Sequence, residues 1–376
     1  MTEYWFDEKT AFIAEMFFER RLVHIEGPAA GQPFKLEPWQ RDIVRNLFGW
    51  KMPDGRRKYR KLYLEVPRGN GKSTFSAGLA LYLLTMDGER NAKIYSAAAD
   101  KDQAAMVFDT ARDMVEESAQ LKKRIKPYKN KQMLFPEMRG LYKVISADAY
   151  TKHGLNPHGV IFDELHAQPN RELYDVLHTA LGKRKQAMEI LITTAGFDRN
   201  SICWEQHEYA IKVRDGIVDD PTLLPSIWSA DEKDDWTSKD TWRKANPNYG
   251  VSVQEWFLEQ ECKVALESPA YQNTFRRLYL NQWTQQDARW IDMEAWNRCG
   301  GTLPDLRGRM CFGGLDLSST TDLCALVLSF PPIAPNEPTW LLCFFWMPGE
   351  DLIKRGRRDR VPYDAWVRDG YIRTTP

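Results

Sequence analysis

Cysteine is scarce in this chain, with six in 376 residues at positions 203, 262, 299, 311, 324 and 343 and no Cys-x-x-Cys pair. Free, mostly buried thiols are the expectation, and two of them fall in segments that read as strands. Net charge is missing as well: 52 basic side chains are balanced by 52 acidic ones. Bulk electrostatics therefore give no pull toward nucleic acid, and any such contact must come from local clusters. Long apolar runs are also absent, because Gly, Ser or a charge interrupts each one well short of membrane-spanning length. There is no N-terminal basic-then-apolar signal and no low-complexity tract, so a cytoplasmic globular protein with room for two domains is expected.

Three basic clusters stand out against the neutral background. They are Arg56, Arg57, Lys58, Arg60 and Lys61; Lys122, Lys123, Arg124, Lys126, Lys129 and Lys131; and Lys354, Arg355, Arg357, Arg358 and Arg360. Each is either a solvated loop or a stretch that meets phosphate in a charged groove.

Residues 62–84, LYLEVPRGNGKSTFSAGLALYLL, read as an apolar strand, a Gly-rich turn and an Ala/Leu-rich helix. That order builds a phosphate cradle. The amides of Gly69, Asn70 and Gly71 can close on an oxyanion, the helix adds its positive end, and Lys72 adds a point charge. Ser73 can offer its hydroxyl to Mg2+. Val66 stands where the general pattern has glycine. By residue usage, roughly one chain in five of this length carries Gly-Lys-Ser/Thr by accident. The strand before and helix after are what favour nucleotide binding over an ordinary turn.

A second element is residues 159–166, GVIFDELH, in which an apolar run ends in Asp163 and Glu164. A buried strand would deliver both carboxylates to one edge, Asp163 for the magnesium and Glu164 for the attacking water. The plainer alternative is a strand end or the first turn of a helix, where acids complement the dipole. A third strand, residues 188–192, runs into Thr193-Thr194-Ala195-Gly196, where open α/β sheets bind ligands, although glycine ends many strands for no such reason. Upstream, LEPWQ places Gln40 where it could meet an adenine edge.

Residues 3–21 have helical spacing, with Phe6, Phe12, Ile13, Met16 and Phe17 on or near one face. Strands then alternate with helices through residue 196, which predicts an α/β fold, a mostly parallel sheet with helices on both faces. We divide the chain into an N-terminal helical segment (1–35), a P-loop nucleotide-binding core (36–200), a small helical lid (201–284), a connector (285–308) and the start of a second domain (309–376). Three strand-like runs in that last part suggest an antiparallel meander. Its first run carries Asp316, with Asp322 beyond a Ser/Thr turn. Two acids, one on a central strand, begin a two-metal nuclease site, or else they close a hairpin as an Asx-type turn.

Together these segments resemble the large subunit of the tailed-phage DNA-packaging terminase. The resemblance is carried by LEPWQ, VPRGNGKST, HGLNPHGVIFDELH, ITTAG, NTFRRLYLNQW, GGLDLSSTTDLCAL and the late stretch FFWMPGEDLIKRGRRDRVPYDAWVRDGYIRTTP. In that family the cradle normally lacks its first glycine. The resemblance implies a P-loop ATPase of the additional-strand, catalytic-glutamate type, which pumps double-stranded DNA into a procapsid. A ribonuclease-H-like nuclease that cuts the concatemer would follow.

It also implies residue roles. Gln40 would contact adenine, and residues 67–74 (Pro67, Arg68, Gly69, Asn70, Gly71, Lys72, Ser73, Thr74) would form the nucleotide contacts, with Arg68 and Lys72 on the phosphates. Ser73 and Asp163 would hold Mg2+, Glu164 would be the catalytic glutamate, and Thr194 would belong to the coupling motif. Asp316 and Asp322 would bind Mg2+ or Mn2+. The implied partners are the portal protein of the procapsid, the terminase small subunit and four further copies in a ring of five, docked on the portal in the host cytoplasm. A trans-acting arginine is part of that ring, but the expected region offers Lys152 and His153. The family's remaining nuclease acids lie on later strands, so the expectation is an incomplete nuclease in this polypeptide. The competing readings are a helicase and a nucleotide- and DNA-binding prophage remnant without turnover.

Overall fold

Alternate residues along each buried strand feed opposite cores, and this places the helices on both faces of one sheet. The computed structural model describes residues 3–99, 101–146, 154–284, 293–318, 323–359 and 361–375. They fall into two compact units, Met1–Arg289 and Trp290–Pro376.

The first unit opens with a short antiparallel ribbon, β1 (Trp5–Phe6) with β2 (Trp50–Lys51), around helices α1 (Glu8–Arg21) and α2 (Pro38–Gly49). Asp7 starts α1 by accepting the Thr10 N–H at 3.1 Å. The expected helix over residues 3–21 is thus shortened at its front by a strand. Its buried face also differs from the expected one: Ala11, Ala14, Phe17 and Phe18 are buried, whereas Phe12 and Ile13 are exposed.

The main sheet contains β3 (Lys61–Glu65), β4 (Lys93–Ala98), β5 (Lys126–Tyr128), β6 (Gln132–Phe135), β7 (Gly140–Ser146), β8 (Gly159–Phe162), β9 (Met188–Thr193) and β10 (Leu223–Ile227). Their order is β10-β3-β9-β8-β4-β7-β6-β5. Pairing is parallel from β10 to β7 and antiparallel through the β7-β6-β5 edge. Leu62, Leu64, Ile190 and Ile192 point into one core, shared with α1, α2, α3 (Lys72–Thr85) and α4 (Lys101–Glu117). Tyr63, Val160, Phe162 and Leu191 point into the other, shared with α6 (Glu172–Ala180) and α7 (Ile202–Arg214) beyond the short α5 (Ala119–Lys122). Period-2 side chains on a sheet buried on both sides require this division.

Two features depart from the sequence reading. The second basic cluster folds in part into the β5-β6 hairpin. The segment expected to be helical after residue 200 contributes β10, paired with Lys61–Glu65 in register from Leu223↔Lys61 to Ile227↔Glu65. The rest of that segment is helical, with α8 (Lys239–Ala245), α9 (Glu255–Glu267) and α10 (Pro269–Leu280) around Trp242, Leu258 and Phe275.

The second unit begins with α11 (Met293–Arg298), followed by an antiparallel meander of β11 (Phe312–Asp316), β12 (Cys324–Phe330) and β13 (Trp340–Pro348). Helices α12 (Leu352–Asp359) and α13 (Tyr363–Arg368) lead to β14 (Arg373–Thr375), parallel to β13. The expected meander is present, but its order is β11-β12-β13-β14. Among the described residues β11 is therefore an edge strand, where a central one was expected, because sequence spacing says nothing about lateral order in a sheet.

Candidate nucleotide site

The turn after β3 is shaped by two glycines. Gly69 has φ +84° and Gly71 has φ +74°, in the left-handed region that a side chain strains against. They turn the chain so that α3 starts at Lys72, aiming the amide-rich helix end into the cradle. Pro67 lies buried before the turn, while Ser73 and Thr74 are half-buried on the first turn of α3.

Asn70 does more than lend a backbone amide. Its side chain is fully buried, donating to Pro67 O at 3.1 Å and Asn246 Oδ1 at 2.9 Å and accepting the Asn248 N–H at 3.0 Å. Asn248 Nδ2 returns a bond to Asn70 O at 3.2 Å, Ser252 Oγ donates to Gly69 O at 2.6 Å, and Trp39 Nε1 donates to Asn248 Oδ1 at 2.6 Å. The cradle is thus tied to the segment after α8. Asn246, Asn248 and Ser252 belong to no motif, and their one sequence signal was the Asn246-Pro247-Asn248 turn.

Strand β9 lies between β3 and β8. With strands about 4.8 Å apart, the cradle strand and the acid strand end roughly 10 Å from one another. The side chains bridge that gap. Lys72 Nζ is 3.5 Å from Glu164 Oε1, and Ser73 donates to Asp163. Asp163 is 3% exposed. Burial first, and the Glu164 carboxylate second, push it up to about 7, against the pull of Lys72 and of the hydrogen bonds from Glu164 N–H and Ser73. A buried carboxylate in that condition lacks positive charge, which suits a cation ligand. Among the described residues no three His, Cys, Asp or Glu side chains converge as a metal cage. A hydroxyl and one carboxylate instead match Mg2+ held partly by water and phosphate oxygens.

Glu164 has φ +48°, a costly conformation for a non-glycine residue, at the head of a 3₁₀ turn spanning Leu165–Ala167. That turn folds His166 back over it, with Nδ1 3.2 Å from Glu164 Oε2. The contact lacks hydrogen-bond alignment, and Oε2 is buried without a hydrogen-bond partner among the described residues. The His166 N–H instead donates to Thr193 Oγ1 at 3.2 Å, with Nδ1 3.1 Å from the same oxygen and 3.4 Å from Thr194 Oγ1. Burial lowers the His166 pKa below its usual 6.5, so the ring is neutral at pH 7.

The end of β9 is held from the far side too. Ala195 N–H donates to Asn281 Oδ1 at 2.7 Å, and a Cβ on Gly196 would fall 2.9 Å from the Trp283 ring. Gln40 is buried, and its Oε1 accepts the Glu37 N–H at 3.1 Å, capping α2. Arg68 is exposed beside the cradle, its backbone N–H on Leu278 O at 2.8 Å.

Comparison with known proteins bears directly on this arrangement. A family model described as the terminase large subunit ATPase domain matches residues 38–212, and one described as the terminase large subunit endonuclease domain matches residues 222–375. The large-subunit terminase of Enterobacteria phage HK97 is 32% identical over 366 residues, 96% of this chain and 70% of that protein. The chain belongs to the terminase large-subunit family.

A crystal structure of the HK97 bacteriophage large terminase aligns over all of the chain and 74% of its own length, with TM-score 0.64 and 30% identity. The terminase large subunit of Lactococcus phage p2 is 25% identical over 79% of the chain, which spans 56% of that relative. Within this terminase fold β9 is the additional strand between the cradle and acid strands. Nucleotide and divalent metal are the cofactors such ATPase and nuclease domains use.

The endonuclease side of the terminase is less complete in what the structure describes. Asp316 ends β11 and is exposed, while Asp322 lies outside the described residues, as do Lys152 and His153. Three of the six cysteines, at 299, 311 and 343, are exposed, which corrects the expectation of mostly buried thiols. They sit in the second unit, Cys299 and Cys311 in connecting segments and Cys343 on β13. The first basic cluster is largely structural: Arg57 is buried and paired with Asp87, and Lys61 lies 3.1 Å from Glu189. In the second, Lys122, Arg124 and Lys131 pair with Glu116, Glu137 and Asp109. Most of the third has side chains outside the described set. No helix among the described residues is long and apolar enough to cross a membrane.

Proposed function

We propose that this terminase large subunit hydrolyses ATP in the cradle and couples hydrolysis to the movement of double-stranded DNA. The observation that carries this reading is the juxtaposition, across the inserted strand β9, of Lys72 and Ser73 with Asp163 and Glu164. Residues 67–74 bind the phosphates through backbone amides, with Lys72 and Arg68 supplying charge. Ser73 and Asp163 hold Mg2+, which neutralises developing charge on the phosphate oxygens when bound. Glu164 orients the attacking water, and Thr194 reports the state of the site to the helical segment, which acts as a lid. Gln40, whose Oε1 accepts the Glu37 N–H at the start of α2, meets an adenine edge with its side-chain amide.

The larger assembly follows the family. Copies form a ring, five in the expected arrangement, docked on the procapsid portal in the host cytoplasm and loaded with the small subunit. Asp316, with Asp322, contributes to a Mg2+- or Mn2+-dependent nuclease that cuts the concatemer. Residues 36–200, together with α7 and with β10 of the same sheet, act as the motor core, the helical part from α8 to residue 284 as lid, 285–308 as connector and the remainder as part of the nuclease domain, with the N-terminal segment 1–35 ahead of them.

The test is steady-state ATP hydrolysis by the purified chain, with and without double-stranded DNA, beside two variants. Lys72→Ala should lose nucleotide binding. Glu164→Gln should keep binding and lose turnover on the order of a hundredfold or more, because the water-orienting carboxylate is gone. Equal loss of nucleotide affinity in both variants would sink these assignments.

A further inference from the structure

We infer that His166 is a positioning residue for hydrolysis, fixing the free oxygen of Glu164 and tying that carboxylate to the end of β9. The inference rests on the hydrolytic reading of the site and adds a residue to it.

Glu164 has two oxygens with different neighbours. Oε1 faces Lys72, whose ammonium must also serve the phosphates. Oε2 is buried and lacks a hydrogen bond among the described residues, an unfavourable arrangement for a polar group and more so for a charged one. His166 Nδ1 lies 3.2 Å from it. A carboxylate that directs a water must be held in one orientation, and one oxygen anchored to a shared lysine does not hold it.

The tautomer follows from the hydrogen bonds around Thr193. Its hydroxyl proton goes to Thr194 O at 2.8 Å, so Thr193 Oγ1 is an acceptor, already taking the His166 backbone N–H at 3.2 Å. An Nδ1 atom 3.1 Å from that acceptor must carry the ring proton. That proton therefore stands between Thr193 Oγ1 and Glu164 Oε2 and cannot point along both axes at once. Displacement of Thr193 and Thr194 by a fraction of an ångström turns the donor toward or away from the carboxylate. His166 thereby links the orientation of Glu164 to the strand end that Asn281 and Trp283 hold from the other side.

Two measurements test this. In the full chain, 15N NMR of selectively labelled histidine reads the His166 tautomer without any turnover, using His166→Asn to assign the signal. A neutral Nδ1–H ring is expected, and an Nε2–H ring would overturn the inference even in a protein that hydrolyses nothing. The second is ATP turnover. His166→Ala should lower kcat about tenfold or more with KM within about twofold, and His166→Asn, which can place an amide donor near the Nδ1 position, should recover most of the loss. In the Glu164→Gln background His166→Ala should add no further loss, since a positioning residue acts through the group it positions. Loss confined to KM, no rescue by asparagine, or losses that multiply in the double variant would overturn it. Wild-type chain without turnover, but with the Nδ1–H tautomer present, would count against the hydrolytic reading and leave the His166 geometry standing.

Discussion

Lys72 and Glu164 face each other at 3.5 Å, yet the chemistry assigns them separable steps, which is why their substitutions should part affinity from turnover. A different residue gives a pH-dependent signature far from that site. His178 donates toward the buried Glu189 carboxylate, with Nδ1 to Oε1 at 2.9 Å, and that hydrogen bond raises its pKa above the usual 6.5. A raised folded-state pKa adds stability that is fully present below 6.5 and disappears as pH climbs through the raised value. His178→Ala should therefore melt below the parent by its widest margin at acidic pH, and the gap should narrow toward neutral and alkaline pH. A margin that widens with pH in thermal melts would contradict this assignment. At this scale the sequence was partly readable. Lys72, Ser73, Asp163 and Glu164 announce themselves through residue type and spacing, whereas His166, Asn246 and Asn248 matter only because folding brings them to the cradle and to β9 from elsewhere in the chain.

Among the elements, α3 and α1 depend on a missing side chain. A Cβ on Gly78 would lie 2.3 Å from Phe18 Cε1 and 3.0 Å from Leu22 Cδ1, both buried. Alanine in a helix interior gains about 1 kcal/mol over glycine, but forcing bulk into a filled core costs about 1–3 kcal/mol. Gly78→Ala should come out destabilised, by up to about 2 kcal/mol in denaturant unfolding. A gain in stability would show that α1 yields freely. The strand-helix alternation of the sheet was legible because apolar runs, Gly-rich turns and helical periodicity all agreed along residues 62–196. Strand β10 and the β5-β6 hairpin were not legible. Leu223–Ile227 contains a proline, tolerated here at a sheet edge, and the hairpin is written in lysine-rich sequence that resembles a solvated loop. The buried face of α1 was misread for a related reason. Large apolar residues sit on both sides of it, and the packing of α2 and α3 decides which side is covered.

Across the first unit as a whole, the phosphate turn and the stretch around residues 246–252 share a lattice of side-chain and backbone hydrogen bonds centred on the buried Asn70. Such a lattice does not yield one bond at a time. Opening either partner strands buried amide groups on the other, so the two segments should unfold together as one cooperative block. Native-state hydrogen exchange should give the hydrogen-bonded amides of Arg68 and Phe75, which flank the turn, and those of Asn246 and residues 248–253 a common opening free energy, and Asn70→Ala should lower both sets together. The nucleotide turn would then exist in its binding shape before any ligand arrives. Affinity would be limited by contacts and charge, with little of it spent on ordering the loop, and association would approach the rate of a rigid receptor.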